Sequence, residues 1–280
     1  MLGASGRSGA ALCRALAEAG EPFIPVVRDV ARWASTGLPG QARVADLRDP
    51  AALRDALAGA TRVASTAHAR HTRAVIAAAP PEARFVLMGS TRRHSRWRDD
   101  HGDGVRAGEA ALLGSGRRGV MLHPTMIYGA QGEDNVQRLA ALLRRLPVAP
   151  LPGGGRALVQ PIHQSDVTRS LVAALRRDWP TPATVIVAGP VAVRYADFLH
   201  AVCRAAGVRA PPVVPVPLTP LLALAPLTRL LPGVPRIRMD ELRRLTEDKG
   251  FGIETMRREL GIEPIGLEEG LARTFSAPQS

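Results

Sequence analysis

The sequence predicts an α/β fold, a parallel sheet covered by helices on both faces, with a smaller region added towards the C-terminus. Three observations carry this reading. Short apolar runs alternate with helical patterns from the N-terminus to Ala188, the segments joining them are short, and 46% of the 280 residues are hydrophobic. That is enough apolar material to fill the two helix–sheet interfaces of such a fold.

The first helix is read over Ser8 to Ala19, where Leu12, Ala15, Leu16 and Ala19 recur at helical spacing before Gly20 and Pro22 end it. A strand, Phe23 to Val27, follows. Asp49 to Ala58 reads as a helix, Arg62 to Ser65 as a strand, Arg70 to Ala78 as a helix and Arg84 to Met88 as a strand. The alternation continues with a helix near Arg106 to Leu113, a strand over Gly119 to Leu122, helices over Asn135 to Arg145 and Ser165 to Leu175, and a strand over Thr184 to Ala188. After Gly189 come a helix, Tyr195 to Ala206, a proline-rich apolar run, Pro211 to Pro232, and a charged tail from Arg236. Residues 1–129 and 157–188 are therefore expected to form the sheet domain, and 130–156 with 189–280 a cap over it. Only Met1 and Leu2 precede Gly3, where the buried first strand of such a sheet belongs. The expectation is a truncated strand or a natural start upstream.

Net charge is +12, from 37 basic and 25 acidic residues, and its one dense run is Arg92, Arg93, His94, Arg96 and Arg98 around Trp97. With aromatic residues so scarce, this run reads as a solvated loop or a contact for an anionic substrate, and nucleic acid is not expected. Cys13 and Cys203 lie far apart in apolar segments and read as core packing in a reducing compartment. No basic leader with an apolar stretch and cleavage site is visible, so the expected location is cytoplasmic. The stretch Leu218 to Val234 is broken by Pro220, Pro226, Arg229 and Pro232, too short an apolar run to span a membrane but suited to peripheral contact with one or to covering a greasy substrate. No metal site is expected, since His68 and His71 lack a Cys or acidic partner and read as surface residues. His163 reads as orienting a strand-to-helix turn that Ser165 or Asp166 caps. Oligomeric state is left open.

Gly3, Gly6 and Gly9 form a Gly-x-x-Gly-x-x-Gly turn directly ahead of the first helix, with Ser5, Arg7 and Ser8 between them. Such a turn brings backbone amides and a helix N-terminus against a pyrophosphate without side-chain obstruction, so the sheet domain is read as a Rossmann-type dinucleotide site. At the tip of the next strand stand Arg28 and Asp29. A carboxylate there suits the ribose diol of NAD, whereas guanidinium groups suit the extra 2′-phosphate of NADP. Arg7 and Arg28 favour NADP(H); Asp29 leaves NAD(H) open.

At this point the chain resembles the short-chain dehydrogenase/reductase superfamily in its extended and atypical branches, which include epimerase/dehydratase-like, isoflavone-reductase-like and complex I accessory-subunit-like proteins. The resemblance rests on the turn Gly3 to Gly9, on Ala45 to Leu47, on the runs His123 to Gly129 and Gln160 to Asp166, and on the tail Glu247 to Phe251 with Arg257 to Gly261. It implies a doubly wound parallel sheet with a small C-terminal cap domain. It also implies Asp46 and Leu47 beside the adenine, Ser65, Thr66 and Ala67 along the ribose and pyrophosphate, and Pro124 flanking the nicotinamide.

The family's proton relay, a Ser or Thr with a Tyr-x-x-x-Lys helix, is absent. The only lysine is Lys249, and Tyr128 and Tyr195 are followed four residues later by Gly132 and Leu199. Matching Glu109 to the Glu of that family helix puts His101 at the tyrosine position and Val105 at the lysine position. Histidine can exchange a proton near neutral pH, so His101 with Ser90 or Thr91 is the catalytic candidate, and Arg106 a second cation nearby. The plain alternative is a solvated loop histidine within Asp99 to Asp103. Two functions follow. One is an NADP(H)-dependent reductase or epimerase of a small, partly hydrophobic or sugar-like substrate, lined by the Leu151 to Arg156 hairpin and the apolar run Pro211 to Pro232. The other is a cofactor-holding structural, sensing or assembly protein without catalysis.

Overall fold

The computed structural model describes residues 1–130, 133–224 and 239–276. Helix α1 (Arg7–Glu18) is followed by β1 (Val26–Val27), α2 (Val30–Ala34), β2 (Arg43–Val44), α3 (Pro50–Leu57), β3 (Arg62–Ser65), α4 (Thr72–Ala78), β4 (Arg84–Met88), α5 (Asp100–Leu113) and β5 (Gly119–Pro124). Next come β6 (Ile127–Tyr128), α6 (Asn135–Leu143), β7 (Ala149–Pro152), β8 (Leu158–Val159), β9 (Ile162–His163), α7 (Gln164–Arg176) and β10 (Pro182–Val187). The C-terminal part holds β11 (Val193–Arg194), α8 (Tyr195–Ala205), β12 (Val213–Val216), α9 (Leu218–Leu224), α10 (Met239–Arg244), α11 (Glu254–Leu260) and α12 (Leu267–Ser276). Much of the apolar run Pro211 to Pro232 lies outside the described residues. Among those described, no helix is long and apolar enough to cross a membrane.

Strands β3, β4, β5 and β10 form a parallel sheet, with Val63 opposite Phe85, Val86 opposite Val120 and Leu122 opposite Val185. On the other side β1 and β2 pair in parallel. Leu2 joins the two halves through parallel bridges to Val26 and Ser65. Its N–H donates to Ala64 O at 2.8 Å, its carbonyl accepts from Thr66 N at 3.1 Å, and Met1 O accepts from Val26 N at 2.8 Å. The result is a doubly wound order, β2-β1-Leu2-β3-β4-β5-β10, whose reversal falls at the glycine turn. Ligands of such sheets bind at the carboxyl edge beside that reversal.

Alternate residues of each strand face opposite helix layers. Ala64, Val86, Val120 and Leu122 pack with Leu12 and Leu16 of α1, Val167 and Leu171 of α7, and Met256 and Leu260 of α11. Val63, Phe85, Leu87 and Met121 pack with Leu53 of α3, Val75 of α4, and Val105 and Leu112 of α5. Each such side chain contributes about 1.5–3 kcal/mol on full burial, which is why the strands read as nearly continuous apolar runs. A separate cluster holds Tyr128, Val136, Val159, Phe198, Val202 and Leu271, joining α6, α8 and α12. Cys13 and Cys203 are free and buried, as their apolar settings suggest.

Two expectations of helix geometry change. Helix α5 begins at Asp100 rather than near Arg106, because the Asp99 carboxylate caps it by accepting the Gly102 N–H at 2.7 Å. Helix α7 is capped by His163, which accepts the Ser165 N–H, and Asp166 instead turns inward to accept the Ile265 N–H at 2.9 Å and to pair with Arg169. The arginine run is held to the fold on one side, while Arg96 and Arg98 keep most of their side chains in solvent. Buried Glu247 accepts from Ser95 Oγ, Arg96 N and Trp97 N, and Arg92, Arg93 and Arg98 pair with Asp99, Glu109 and Asp103.

A cavity of about 1170 Å³ opens at the amino edge between β1 and β3, bordered by Met1, Phe23, Ile24, Leu57, Arg62 and Val63. It lies at the opposite edge from the glycine turn. Fusing about four apolar, β-branched residues ahead of Met1, each advancing roughly 3.3 Å, extends that strand into the cavity. The melting temperature is expected to rise by several degrees, whereas a Gly/Ser fusion of equal length leaves it unchanged; equal values for the two fusions contradict the packing described.

Candidate cofactor and catalytic site

The glycine turn is built for a phosphate. Gly3 has φ +74°, and a Cβ on it would stand 3.0 Å from both Ala67 N and Thr66 Oγ1. A Cβ on Gly9 would overlap Gly3 O and reach 2.8 Å from Thr66 Oγ1. Helix α1 starts at Arg7 with Gly6 as N-cap and no side chain capping it, so its first-turn N–H groups face the carboxyl edge of the sheet without a competing acceptor. Ser5 and Ser8 lie within this turn, Ser8 buried. Ser65, Thr66 and Ala67 close its far side, with Thr66 Oγ1 3.4 Å from the carbonyls of Leu2 and Gly3.

Just after β1 Arg28 is exposed and has no hydrogen-bond partner among the described residues. Asp29 is occupied: it caps α2, accepting the Arg32 N–H at 3.1 Å. Asp46 and Leu47 follow β2, and the Asp46 carboxylate accepts both the backbone and the guanidinium of Arg48, which holds its pKa well below the usual carboxylate range. Arg7 reaches away from this end and pairs with Glu133 at 2.9 Å.

At the other end Pro124 closes β5, and its carbonyl accepts the Thr91 hydroxyl at 3.2 Å. The hydroxyl of the adjoining Thr125 is buried without a partner, a polar atom suited to a bound group. Ser90 Oγ accepts the Arg92 N–H at 3.2 Å, so its own proton stays available to donate. The Ser90 N–H donates to His123 Nδ1 at 3.1 Å, and His123 Nε2 lies 3.0 Å from Glu109 Oε2, off-line for a hydrogen bond. Arg93 pairs with the same carboxylate. Burial first, then Arg93, lowers the His123 pKa to about 4, and burial raises that of Glu109. The pair fixes the backbone under Ser90 and Thr91.

His101 lies in the first turn of α5, not in a loop. Its Nδ1 is 3.1 Å from Nε2 of His68, which follows Thr66 and Ala67 directly. His68 is thus no idle surface residue; it caps the 3-10 turn Ala69–His71 and lies half-buried against α5. The approach depends on glycine. A Cβ on Gly104 would stand 2.8 Å from His68 Cε1, and one on Gly108 would overlap Ala69 O. Each interior helical glycine costs about 0.8–1 kcal/mol relative to alanine, so α5 gives up stability where it meets the His68 segment. No hydrogen bond joins His101 to Ser90 or Thr91; Arg92, next to them in the chain, is the charge they share. Arg106 is turned away, donating to Arg93 O and pairing with Asp103.

Burial and the neighbouring imidazole lower the His68 pKa to about 4, so His68 and His123 are both neutral at pH 7. In the unfolded chain each titrates near about 6.5. Between these values the unfolded state binds more protons, so stability is full above about 6.5 and falls as pH drops towards about 4. Melting temperatures are expected to decline across that window, and His123→Gln to reduce proton uptake on unfolding at pH 5 by about one proton. Unchanged uptake in that variant means His123 titrates normally.

Residues 3–113 match the family model described as NAD(P)H-binding. No curated protein matches the sequence. Among solved structures, the NADPH-dependent quinone oxidoreductase of Escherichia coli complexed with NADPH aligns with a TM-score of 0.77 at 18% identity, over 98% of this chain and 99% of that one. A nucleoside-diphosphate-sugar epimerase from Pseudomonas aeruginosa aligns at 0.72 and 20% identity, over 98% and 94%. UDP-glucuronic acid 4-epimerase from Bacillus cereus, in complex with UDP-glucuronic acid and NAD, aligns at 0.71 and 14%, over 98% and 96%. At these identities the likeness is one of fold. Taken with the glycine turn and the parallel sheet, the match over residues 3–113 identifies this part of the chain as an NAD(P)H-binding segment on a Rossmann-type fold.

Proposed function

We infer that the protein is an NADP(H)-dependent reductase of a small, partly hydrophobic carbonyl compound, working without a Tyr/Lys relay in the reducing environment of the cytoplasm. The observation that carries this reading is the placement of His101. It occupies the first turn of α5, one hydrogen bond from the His68 segment that closes the glycine turn, and matching Glu109 to the family's helix puts it at the tyrosine position. The two buried free thiols agree with the compartment.

Preference for NADP(H) follows from the adenosine end. Arg28 has its guanidinium available for a 2′-phosphate, a charge-assisted and bidentate partner, while the carboxylate that would serve an NAD ribose, Asp29, is engaged in capping. Arg7 supplements Arg28 only when its pair with Glu133 opens. Asp46 and Leu47 border the adenine, the α1 N-terminus with Ser5, Gly6, Ser8 and Gly9 receives the pyrophosphate, Ser65 to Ala67 line the ribose side, and Pro124 and Thr125 flank the nicotinamide. The bound cofactor supplies the hydride. NADP(H) preference favours a reductase over an epimerase, since the compared epimerase holds NAD.

Within the pocket His101 and Ser90 bind the substrate oxygen. Thr91 has its proton committed to Pro124 O, so of the two hydroxyls Ser90 assists His101 and Thr91 holds the loop in place. The segments following β6 and β10 are assigned to cover the substrate. Lys249 takes no part; its Nζ donates to Arg244 O.

Fluorescence titration is expected to show tighter binding of NADPH than of NADH, with Arg28→Ala weakening NADPH about ten- to hundredfold and leaving NADH unaffected. Equal affinities in the parent protein overturn the cofactor assignment. With a substrate drawn from quinones, aldehydes and ketones, His101→Ala is expected to lower turnover about a hundredfold or more and Ser90→Ala by less. Tight NADPH binding with no turnover across such a set supports the non-catalytic alternative instead.

A further inference from the structure

The hydrogen bonds around His68 determine which nitrogen of His101 carries its proton. His68 Nδ1 accepts the Arg70 N–H at 3.1 Å and lies 3.3 Å from the Arg70 Nε donor, so Nδ1 is unprotonated. A neutral His68 then bears its hydrogen on Nε2. That nitrogen faces His101 Nδ1 at 3.1 Å, which therefore accepts, and the hydrogen of neutral His101 must sit on Nε2. The reverse arrangement, with His101 Nδ1 donating, would put a hydrogen on His68 Nδ1 against two Arg70 donors. His101 Nε2 has no protein partner and is not among the buried unpartnered atoms.

We propose that His68 is a positioning residue that locks His101 in its Nε2–H form, so that His101 serves the site as a neutral hydrogen-bond donor to a substrate oxygen and not as an imidazolium acid. This deepens the reductase reading and rests on it for the identity of the acceptor. The proton that finally neutralises that oxygen comes from solvent. A neutral imidazole stabilises developing negative charge on oxygen through its N–H without changing its own charge, provided the ring is held in one tautomer.

The surroundings agree. Protonating His101 at Nδ1 would set two N–H groups against each other across 3.1 Å. The groups around the ring are Arg92 from the turn Thr91–His94, Asp99 at the α5 N-cap, Arg70 beside His68, and Arg244 of α10. Three guanidiniums oppose one carboxylate, and with burial they lower the His101 pKa. Around His68 stand His101, Arg70, His71 and Arg92, all acting in the same direction. Among the described residues no third ligand turns the two imidazoles into a metal site.

The test reads the ring nitrogens directly, in full-length protein labelled with ¹⁵N-histidine, by long-range ¹H–¹⁵N correlation from about pH 8 to about pH 5. The expected spectrum shows neutral His101 only as the Nε2–H tautomer, with its titration shifted below the ordinary imidazole range. His68→Phe removes the donor to Nδ1, and the His101 pKa is expected to rise above its value in the parent protein. His68→Gln, whose amide N–H can donate to the same nitrogen, is expected to restore the parent behaviour. Gly104→Ala, whose new Cβ displaces His68, should act like His68→Phe in a protein whose fold is otherwise kept. A parent His101 protonated on Nδ1, or titrating at the same pH in the parent and in the His68→Phe and Gly104→Ala variants, overturns the proposal. Where a substrate is turned over, the parent rate is expected to stay flat through about pH 6, with a new acid limb in His68→Phe. Loss of all turnover with the tautomer intact refutes the reductase reading and not the lock.

Discussion

The site depends on one steric constraint, the crossing of the glycine turn against the end of β3. Leu2 is hydrogen-bonded on both sides, to Ala64 and Thr66 through its own peptide groups and to β1 through Met1. The chain must then leave the sheet, reverse beneath Thr66 and start α1 within a few residues. Any side chain at Gly9 would overlap Gly3 O. The tight reversal leaves the helix N-terminus uncapped at the carboxyl edge, where its dipole and unpaired N–H groups attract an anion. Everything placed on the neighbouring strand ends, from Ser65 to Thr125, inherits its position from that crossing.

A second close approach converts a phosphate-binding fold into a candidate for chemistry. Helix α5 uses Gly104 and Gly108 to admit the segment after β3, and this is what sets His68 beside His101. The same helix supplies buried Glu109, which holds His123 and Arg93 beneath the Ser90 loop. From the C-terminal side Glu247 and Arg244 grip that loop and its Asp99 cap. Within the arginine run, Arg92, Arg93 and Arg98 are paired with Asp99, Glu109 and Asp103.

The sequence made the sheet and the cofactor turn legible because both rest on local signals: apolar runs of strand length, glycines at fixed spacing, and Gly20 and Pro22 as a helix stop. The surroundings of the candidate residue His101 were harder to read because their contacts are long-range. His68 and His101 are 33 residues apart and nothing in either neighbourhood announces the other. Glycine and aspartate made the start of α5 look like a loop, although Asp99 is its cap; the Gly104/Gly108 spacing, one helical turn, was the available clue to a close packing partner. Arg7 was legible as a cation in the turn, but Glu133, 126 residues away, decides where its guanidinium lies in this conformation. At the centre of the sheet Met1 and Leu2 together supply the hydrogen bonds to β1 and β3.

A crystal structure with NADPH and an unreactive carbonyl ligand tests the central claim most directly. The 2′-phosphate is expected on Arg28, the pyrophosphate on the N-terminus of α1, and the ligand oxygen within hydrogen-bond distance of His101 Nε2, about 2.7–3.2 Å, beside C4 of the nicotinamide. A nicotinamide docked on Pro124 and Thr125 with His101 Nε2 turned to solvent and no protein donor on the ligand oxygen would contradict it.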